Sequence, residues 1–317
     1  MMNVRDILIL NQIKGIGPAC LKKNRNRLLN SNDLYSFISE VSPGSLNDLE
    51  SLEKYADEIL NDCNQLGVLA IDCLSDDYPP LLLDISDPPP VLYIKGNVKL
   101  LNKVIAIIGS RKSSSLGNSI AERLGEYFST DFAICNGLVE GIDEHSIYIK
   151  GKVINNVIGI ISGGMNYEHT CSKKHAKIIS DVLEAGGLII SEFPPQQVED
   201  KYSGSKASRI QAGLSDGLIL VQSKLDGGSK YTLSTFSKLS RTLGVIHFPT
   251  SEEYQTESFA ANRLIVEEQI AGVAKFIGQK TTKGISIKSI IPIQSKLEYE
   301  VFKDKIERQK ESEFSLF

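Results

Sequence analysis

From Val104 onward the chain alternates short, unbroken apolar runs with segments whose apolar positions recur at helical spacing. The runs are Val104–Ile108, Phe132–Cys135, Val157–Ile161, Leu188–Ser191, Leu218–Val221 and Val245–Phe248. The helical patterns fall near Asn118–Ser129, Asp143–Lys150, Ser172–Ala185 and Lys230–Leu243. A strand that is apolar at every position is buried on both faces, which points to a parallel sheet covered by helices. The alternation predicts an α/β fold, an extended Rossmann-like doubly wound and mostly parallel sheet over residues 97–278. In such sheets ligands collect beyond the carboxyl ends of the strands.

Residues 1–66 carry only helical patterns, Val4–Ile13, Cys20–Leu29, Ser31–Ser39 and Leu46–Leu66, and predict a small helical domain of SAM-like or helix-hairpin-helix type. The turn Ile13–Pro18, followed by Lys22 and Lys23, fits either a hairpin whose glycine amides hold a phosphate or a tight turn between packed helices. Residues 67–96 run through Asp76–Pro80 and Asp87–Pro90 and read as a proline-rich connector without regular structure, lying over the surface of the next domain. Residues 279–317 read as a charged tail with one helix, Lys296–Glu311.

At 317 residues and 41% apolar, the chain is long enough for a large core and a smaller unit. No apolar run reaches the roughly 18 residues of a membrane span, and Met1–Leu10 contains Asp6 and no small-residue cleavage site, so a cytoplasmic protein is expected. The 5 cysteines are widely spaced without a Cys-x-x-Cys pair, which suggests reduced thiols and neither a disulfide framework nor a zinc site. Net charge is −4, against a nonspecific basic coat. Residues 1–100 hold 9 Lys/Arg against 14 Asp/Glu, whereas residues 101–250 hold 16 against 14, so a polyanion site belongs in the central part.

The strongest candidate chemistry is the loop Gly109–Gly117, between an apolar run and an amphipathic helix. Gly109 and Gly117 let backbone approach an anion, Ser110 and Ser113 offer hydroxyls, Arg111 and Lys112 offer charge, and the helix aims its positive end at the loop. The loop lacks both G-x-G-x-x-G and Walker spacing, which excludes a dinucleotide fingerprint and a nucleotide-hydrolysing P-loop. A second loop, Asn136–Asp143, brings Gly137 and Gly141, with Asp143 as a helix N-cap and His145 in the first turn. Gly228 and Ser229, before Lys230, fit either a third amide-rich approach to a helix or a flexible loop. Lys206 and Arg209 add cations in a fourth segment, which on its own would read as a solvated basic loop and gains weight only beside the other anion loops. No metal constellation, paired carboxylates or Ser/His/Asp set emerges, so neither a catalytic residue nor a cofactor is expected.

Taken in order, these motifs resemble the DprA/Smf family of DNA-processing proteins. The resemblance covers roughly Cys63 to Phe276 and rests on Asp77–Leu82, Asp87–Asn97, Ile108–Ser113, Gly137-Leu138 with Gly141–Asp143 and His145, Ser191–Pro194, Arg209-Ile210 with Ala212–Ser215, and Asn262–Ile265. It implies an extended Rossmann-like domain that binds single-stranded DNA, an N-terminal helical domain, a homodimer, and the loading of a RecA-type recombinase in natural transformation, with no chemical step. Against the family pattern, Glu140 replaces an arginine, Ala207-Ser208-Arg209 replaces an Arg-Asn-Arg triplet, Gly227-Gly228-Ser229 replaces Ser-Gly-Ser/Thr, and His169-Thr170 replaces a Tyr-Pro pair. Glu140 is therefore expected to repel a phosphate and weaken DNA binding. The rival expectation is a small-nucleotide sensor or nucleotide-cleaving enzyme on the same scaffold, with a closed pocket and a poised carboxylate such as Glu192 or Asp143. The scarcity of aromatic residues in these loops argues against base stacking.

Overall fold

The computed structural model describes residues 2–30 and 33–314, with side chains in the last helix as far as Gln309. Met1, Ser31, Asn32 and residues 315–317, which begin or end several expected segments, lie outside the described residues.

The strands are β1 (Leu69–Asp72), β2 (Val91–Gly96), β3 (Val104–Gly109), β4 (Ala133–Asn136), β5 (Tyr148–Ile149), β6 (Lys152–Val153), β7 (Val157–Ile160), β8 (Leu188–Ser191), β9 (Gly217–Gln222), β10 (Thr242–Ile246) and β11 (Ser289–Ile293). Nine of them form one sheet in the order β1-β2-β8-β7-β4-β3-β9-β10-β11, while β5 and β6 make a separate hairpin. Every pairing from β8 across to β11 is parallel; β2 pairs antiparallel with both β8 and β1. The order reverses direction at β3, which has β4 on one side and β9 on the other. That reversal is where a crevice opens at the carboxyl edge, between the loops that leave β3, β4 and β9.

Both faces of the sheet are covered. Ile105 and Ile107 of β3 pack with Ile120, Leu124 and Phe128 of the helix Ser115–Phe128 and with Phe302 and Ile306 of the helix Lys296–Phe314. Ala106 and Ile108 point to the other face, among Leu233, Phe236, Ile265 and Phe276. This two-sided burial is why the β3 run has no polar position to break it.

Three segments depart from expectation. Residues 67–96 contribute two strands of the main sheet, and Pro88, Pro89 and Pro90 are buried. The irregular stretch between those strands is held from below rather than lying on the surface: buried Arg241 donates to the carbonyl of Leu81 at 3.0 Å and to Asp84 at 2.7 Å. The tail supplies β11, and Phe302 and Ile306 of its helix are core residues. The helix expected over Lys230–Leu243 stops at Phe236, and β10 begins at Thr242 rather than Val245.

The N-terminal helices Val4–Gln12, Pro18–Lys23, Arg25–Leu29, Leu34–Val41 and Leu49–Leu66 share one hydrophobic cluster with the sheet. Lys22 donates to the Ile85 carbonyl at 2.6 Å and Arg25 to that of Cys73 at 3.2 Å, so these two cations face the rest of the protein. Among the described residues no helix is long and apolar enough to cross a membrane.

Candidate nucleic-acid interface

The crevice at the strand reversal is an open cleft of about 760 Å³. It is walled by the loop after β3 (Gly109, Ser110, Arg111, Lys112), by Gly137, Val139 and Asp143 after β4, and by Ser162 after β7. Lys201, Tyr202, Gly204 and Ser205 form another wall, and Lys224, Asp226, Gly228, Ser229 and Tyr231 lie beyond β9. Seven of the twelve expected residues therefore meet in one place: Gly109, Ser110, Arg111, Lys112, Gly137, Gly228 and Ser229.

The loop after β3 is held rigidly by β9. Ser110 N–H donates to the Gln222 carbonyl at 2.8 Å, and the buried Gln222 side chain accepts from Ser114 N–H at 3.0 Å. Gly117 is present for packing, because a Cβ there would lie 2.2 Å from Gln222 Oε1. Ser113 donates to Asn118 inside the same turn. Gly141, at φ +86°, passes so close to the loop that a Cβ would stand 2.3 Å from the Ser110 carbonyl oxygen. These three residues shape the cleft without lining it.

The expectation that the helix after this loop offers its unpaired amides to an anion needs correcting. Ser114 caps the helix by accepting from Gly117 N–H at 3.2 Å, and Glu253, far along the chain, accepts from Leu116 N–H at 3.2 Å. A carboxylate already occupies the position that the helix end favours for negative charge. The helix Ser229–Phe236 is different: its N-cap Gly228 makes no side-chain cap, and a Cβ at Gly228 would meet nothing within 4 Å. That terminus is open toward the cleft.

Charge in the cleft comes from side chains. Arg111, Lys112, Lys201 and Lys224 are exposed, and none of them joins an ion pair among the described residues. Facing them, Asp143 is fully buried, and burial pushes its carboxyl up to about 7 despite hydrogen bonds from the Gly137 and Val139 amides and the nearby Arg111 charge. Its Oδ2 accepts from Gly137 N–H at 2.9 Å, so Asp143 braces the β4 loop and does not cap its own helix, whose N-cap is Gly141.

Arg209 and Lys206 stand apart. The Arg209 guanidinium, 11% exposed, forms a two-pronged pair with Glu192, Nη1 to Oε1 at 2.5 Å and Nη2 to Oε2 at 2.6 Å. Its Nε lies 3.0 Å from Asp87 Oδ2 and donates to the Asp87 carbonyl at 3.2 Å. Arg209 thus ties the helix Ser203–Leu214 to the connector and to the segment after β8, and has little left for a phosphate. Lys206 is exposed but lies over the Phe193 ring, 5.7 Å from its centroid. Glu140, expected to repel a phosphate, is not among the cleft residues; it pairs with Lys174 at 3.2 Å on the outer surface.

Sequence reasoning missed two aromatics. Tyr202 is 60% exposed and Tyr231 51% exposed, and both line the cleft. Each has a lysine over its ring, Lys201 at 4.8 Å and Lys230 at 5.6 Å from the centroid. Both tyrosines sit beside a Lys in a Gly/Ser-rich stretch, which was the available signal.

The family model described as DNA recombination-mediator protein A matches residues 70–282. The chain belongs to this family. Among relatives, it is 32% identical over 191 residues to "DNA processing protein DprA" of Bacillus subtilis, covering 59% of this chain and 63% of that protein. It is 34% identical over 164 residues to "Protein Smf" of Escherichia coli, covering 50% of this chain and 42% of that one. The matched part is thus less than two thirds of either relative's length. The X-ray structure of Streptococcus pneumoniae DprA superposes with a TM-score of 0.68 at 22% identity, over 84% of this chain and 93% of that one. DNA processing protein A from Helicobacter pylori, described for its single-stranded DNA binding mode, gives 0.54 at 23% identity over 66% and 94%. These likenesses establish the shared α/β fold.

Proposed function

We propose that this chain is a recombination mediator that binds single-stranded DNA in the cleft at the strand reversal. The observation that carries the proposal is the open cleft itself, which four exposed cations, Arg111, Lys112, Lys201 and Lys224, line together with two exposed tyrosines, Tyr202 and Tyr231. Cations along a groove track a phosphate backbone, and exposed aromatic faces stack on unpaired bases whatever their sequence. Gly228, where a Cβ would meet nothing within 4 Å, leaves room for the strand to approach the backbone, whereas Gly109 and Gly137 are needed for packing, their Cβ positions lying 2.5 Å from Ile142 and 2.9 Å from Gln211. Family membership and the single-stranded DNA binding described for the Helicobacter pylori protein support the same reading.

The proposal extends to DNA processing in the cytoplasm, including natural transformation, in which a homodimer hands the strand to a RecA-type recombinase. This part rests on the family resemblance, and co-sedimentation with a RecA-type protein on DNA, with light scattering for the dimer, tests it. The rival, a nucleotide sensor or nucleotide-cleaving enzyme, needs a poised carboxylate. Glu192 is neutralised by Arg209, and Asp143 is occupied by two backbone amides, which favours binding over catalysis.

A titration of labelled single-stranded oligonucleotide, duplex of the same sequence and mononucleotides tests the central reading. Preference for the single strand, with no competition from mononucleotides, is expected. Tight mononucleotide binding, or turnover abolished by Glu192→Gln, would put the rival in its place.

A further inference from the structure

The loop after β7 and the segment after β8 run side by side behind the cleft, and between them lie three groups of metal-ligand type. Cys171 Sγ, a ring nitrogen of His175 and a carboxylate oxygen of Glu199 all fall within 4.8 Å of one another. His175 is 8% exposed, and its Nε2 is buried with no hydrogen-bond partner. An orphaned ring nitrogen in the interior costs free energy that a protein normally avoids. An unprotonated imidazole nitrogen is also the form in which histidine binds a metal.

We propose that Cys171, His175 and Glu199 form a zinc site with three protein ligands and a fourth position open to water. The donor set, one thiolate, one imidazole and one carboxylate, suits a borderline-soft ion of tetrahedral habit. Bond lengths near 2.3 Å to sulfur and 2.0 Å to nitrogen or oxygen put tetrahedral ligands about 3.5 Å apart, so the atoms need close by only about an ångström. Cys171 and His175 are on one side of this gap because Ser172 caps the helix Lys173–Glu184, accepting from His175 N–H at 3.3 Å. Glu199 is brought up from the other side by backbone bonds that stitch the two segments together. Glu199 N–H donates to Thr170 at 3.1 Å, Asn166 N–H to Pro195 at 2.9 Å and Gly164 N–H to Gln197 at 2.8 Å.

The surroundings fit a second layer of support around an ion. Ser162 donates to Glu199 Oε2 at 2.8 Å, which orients the carboxylate and leaves Oε1 for the ion. Cys171 and Glu199 are only half buried, which gives an ion a way in. Without metal, burial pushes the Cys171 thiol up to about 11, so it is no activated nucleophile. Ser162 lines the DNA cleft, so zinc would lock the cleft's back wall, including the start of the segment that carries Lys201 and Tyr202. Sequence spacing hides the site, because Glu199 is remote in sequence and no Cys-x-x-Cys pair announces it.

The test is metal analysis of the full chain, stripped with chelator, reconstituted with Zn²⁺ alone and freed of excess ion. One zinc per chain is expected, with a higher thermal midpoint than the stripped protein. The Cys171→Ser and His175→Gln variants should lose the zinc while matching the stripped wild type in midpoint. Cobalt in place of zinc should give a thiolate-to-metal charge-transfer band that Cys171→Ser abolishes. Where His175→Gln does not fold, Glu199→Gln serves, and it should weaken binding at least tenfold. No stoichiometric zinc in the reconstituted wild type, or zinc retained unchanged in Cys171→Ser, overturns the proposal.

Discussion

Arg209→Ala should damage the fold and leave the DNA-binding surface largely as it was. The guanidinium and Glu192 are each 11% exposed and joined by two bonds of 2.5 and 2.6 Å, with Asp87 on a third side. Deleting the arginine leaves Glu192 in a largely dry site without its counter-charge. Breaking such a buried pair from one side costs about 3–5 kcal/mol, far more than an exposed pair is worth. The change also frees the segment after β8 from the helix Ser203–Leu214. Urea denaturation followed by circular dichroism should show a destabilisation of that size for Arg209→Ala. The double variant Arg209→Met with Glu192→Leu should recover most of it, since no unpaired charge then remains. At a temperature where Arg209→Ala is folded, its affinity for single-stranded oligonucleotide should stay within about threefold of wild type, well under the roughly 1.4 kcal/mol that a tenfold change represents. The reasoning fails if Arg209→Ala is as stable as wild type and its oligonucleotide affinity collapses.

Asp143 makes stability depend on pH. Burial raises its folded carboxyl to about 7 from an ordinary value of 3.8, so the native state holds a proton that the unfolded chain has lost between those values. Its stabilising contribution is complete below pH about 4 and is lost as pH rises through 7, with a slope of at most about 1.4 kcal/mol per pH unit. Unfolding free energies should fall with that slope from about pH 5 to 7 in wild type and level off above, with a flatter profile in Asp143→Asn. Tyr202→Leu and Tyr231→Leu should each weaken single-stranded binding by about 1–3 kcal/mol if a base stacks there, with little change in salt dependence. Glu140→Arg should leave affinity and salt slope unchanged in the same titration, because Glu140 pairs with Lys174 away from the cleft.

Much of this architecture could be read from residue order because β3, β4, β7, β8 and β9 are buried on both faces and so appear as uninterrupted apolar runs. β2 escaped notice because Pro88–Pro90 stand directly before it and dominate the local reading. β11 escaped because Pro292 interrupts it; as the edge strand it tolerates a residue without an N–H. At the site, the glycine and serine loops were legible because strand-to-loop-to-helix geometry is local. Pairing was not. Whether an arginine faces solvent, as Arg111 does, or a carboxylate, as Arg209 does, depends on Asp87 and Glu192 arriving from distant segments. The same holds for Glu253, which reaches the helix end after β3 from 137 residues away.

The central claim, that cations of this cleft grip the phosphates of a single strand, is tested most directly by the salt dependence of oligonucleotide affinity. Removing one cation that neutralises a phosphate should flatten the plot of log affinity against log salt by about 0.7 for a single strand. Wild type, Arg111→Ala and the Arg111→Ala/Lys112→Ala pair should therefore give slopes falling in two such steps, with affinity reduced alike for every sequence tested. Equal slopes in all three proteins, with the fold intact, would contradict the account and place DNA elsewhere on the molecule.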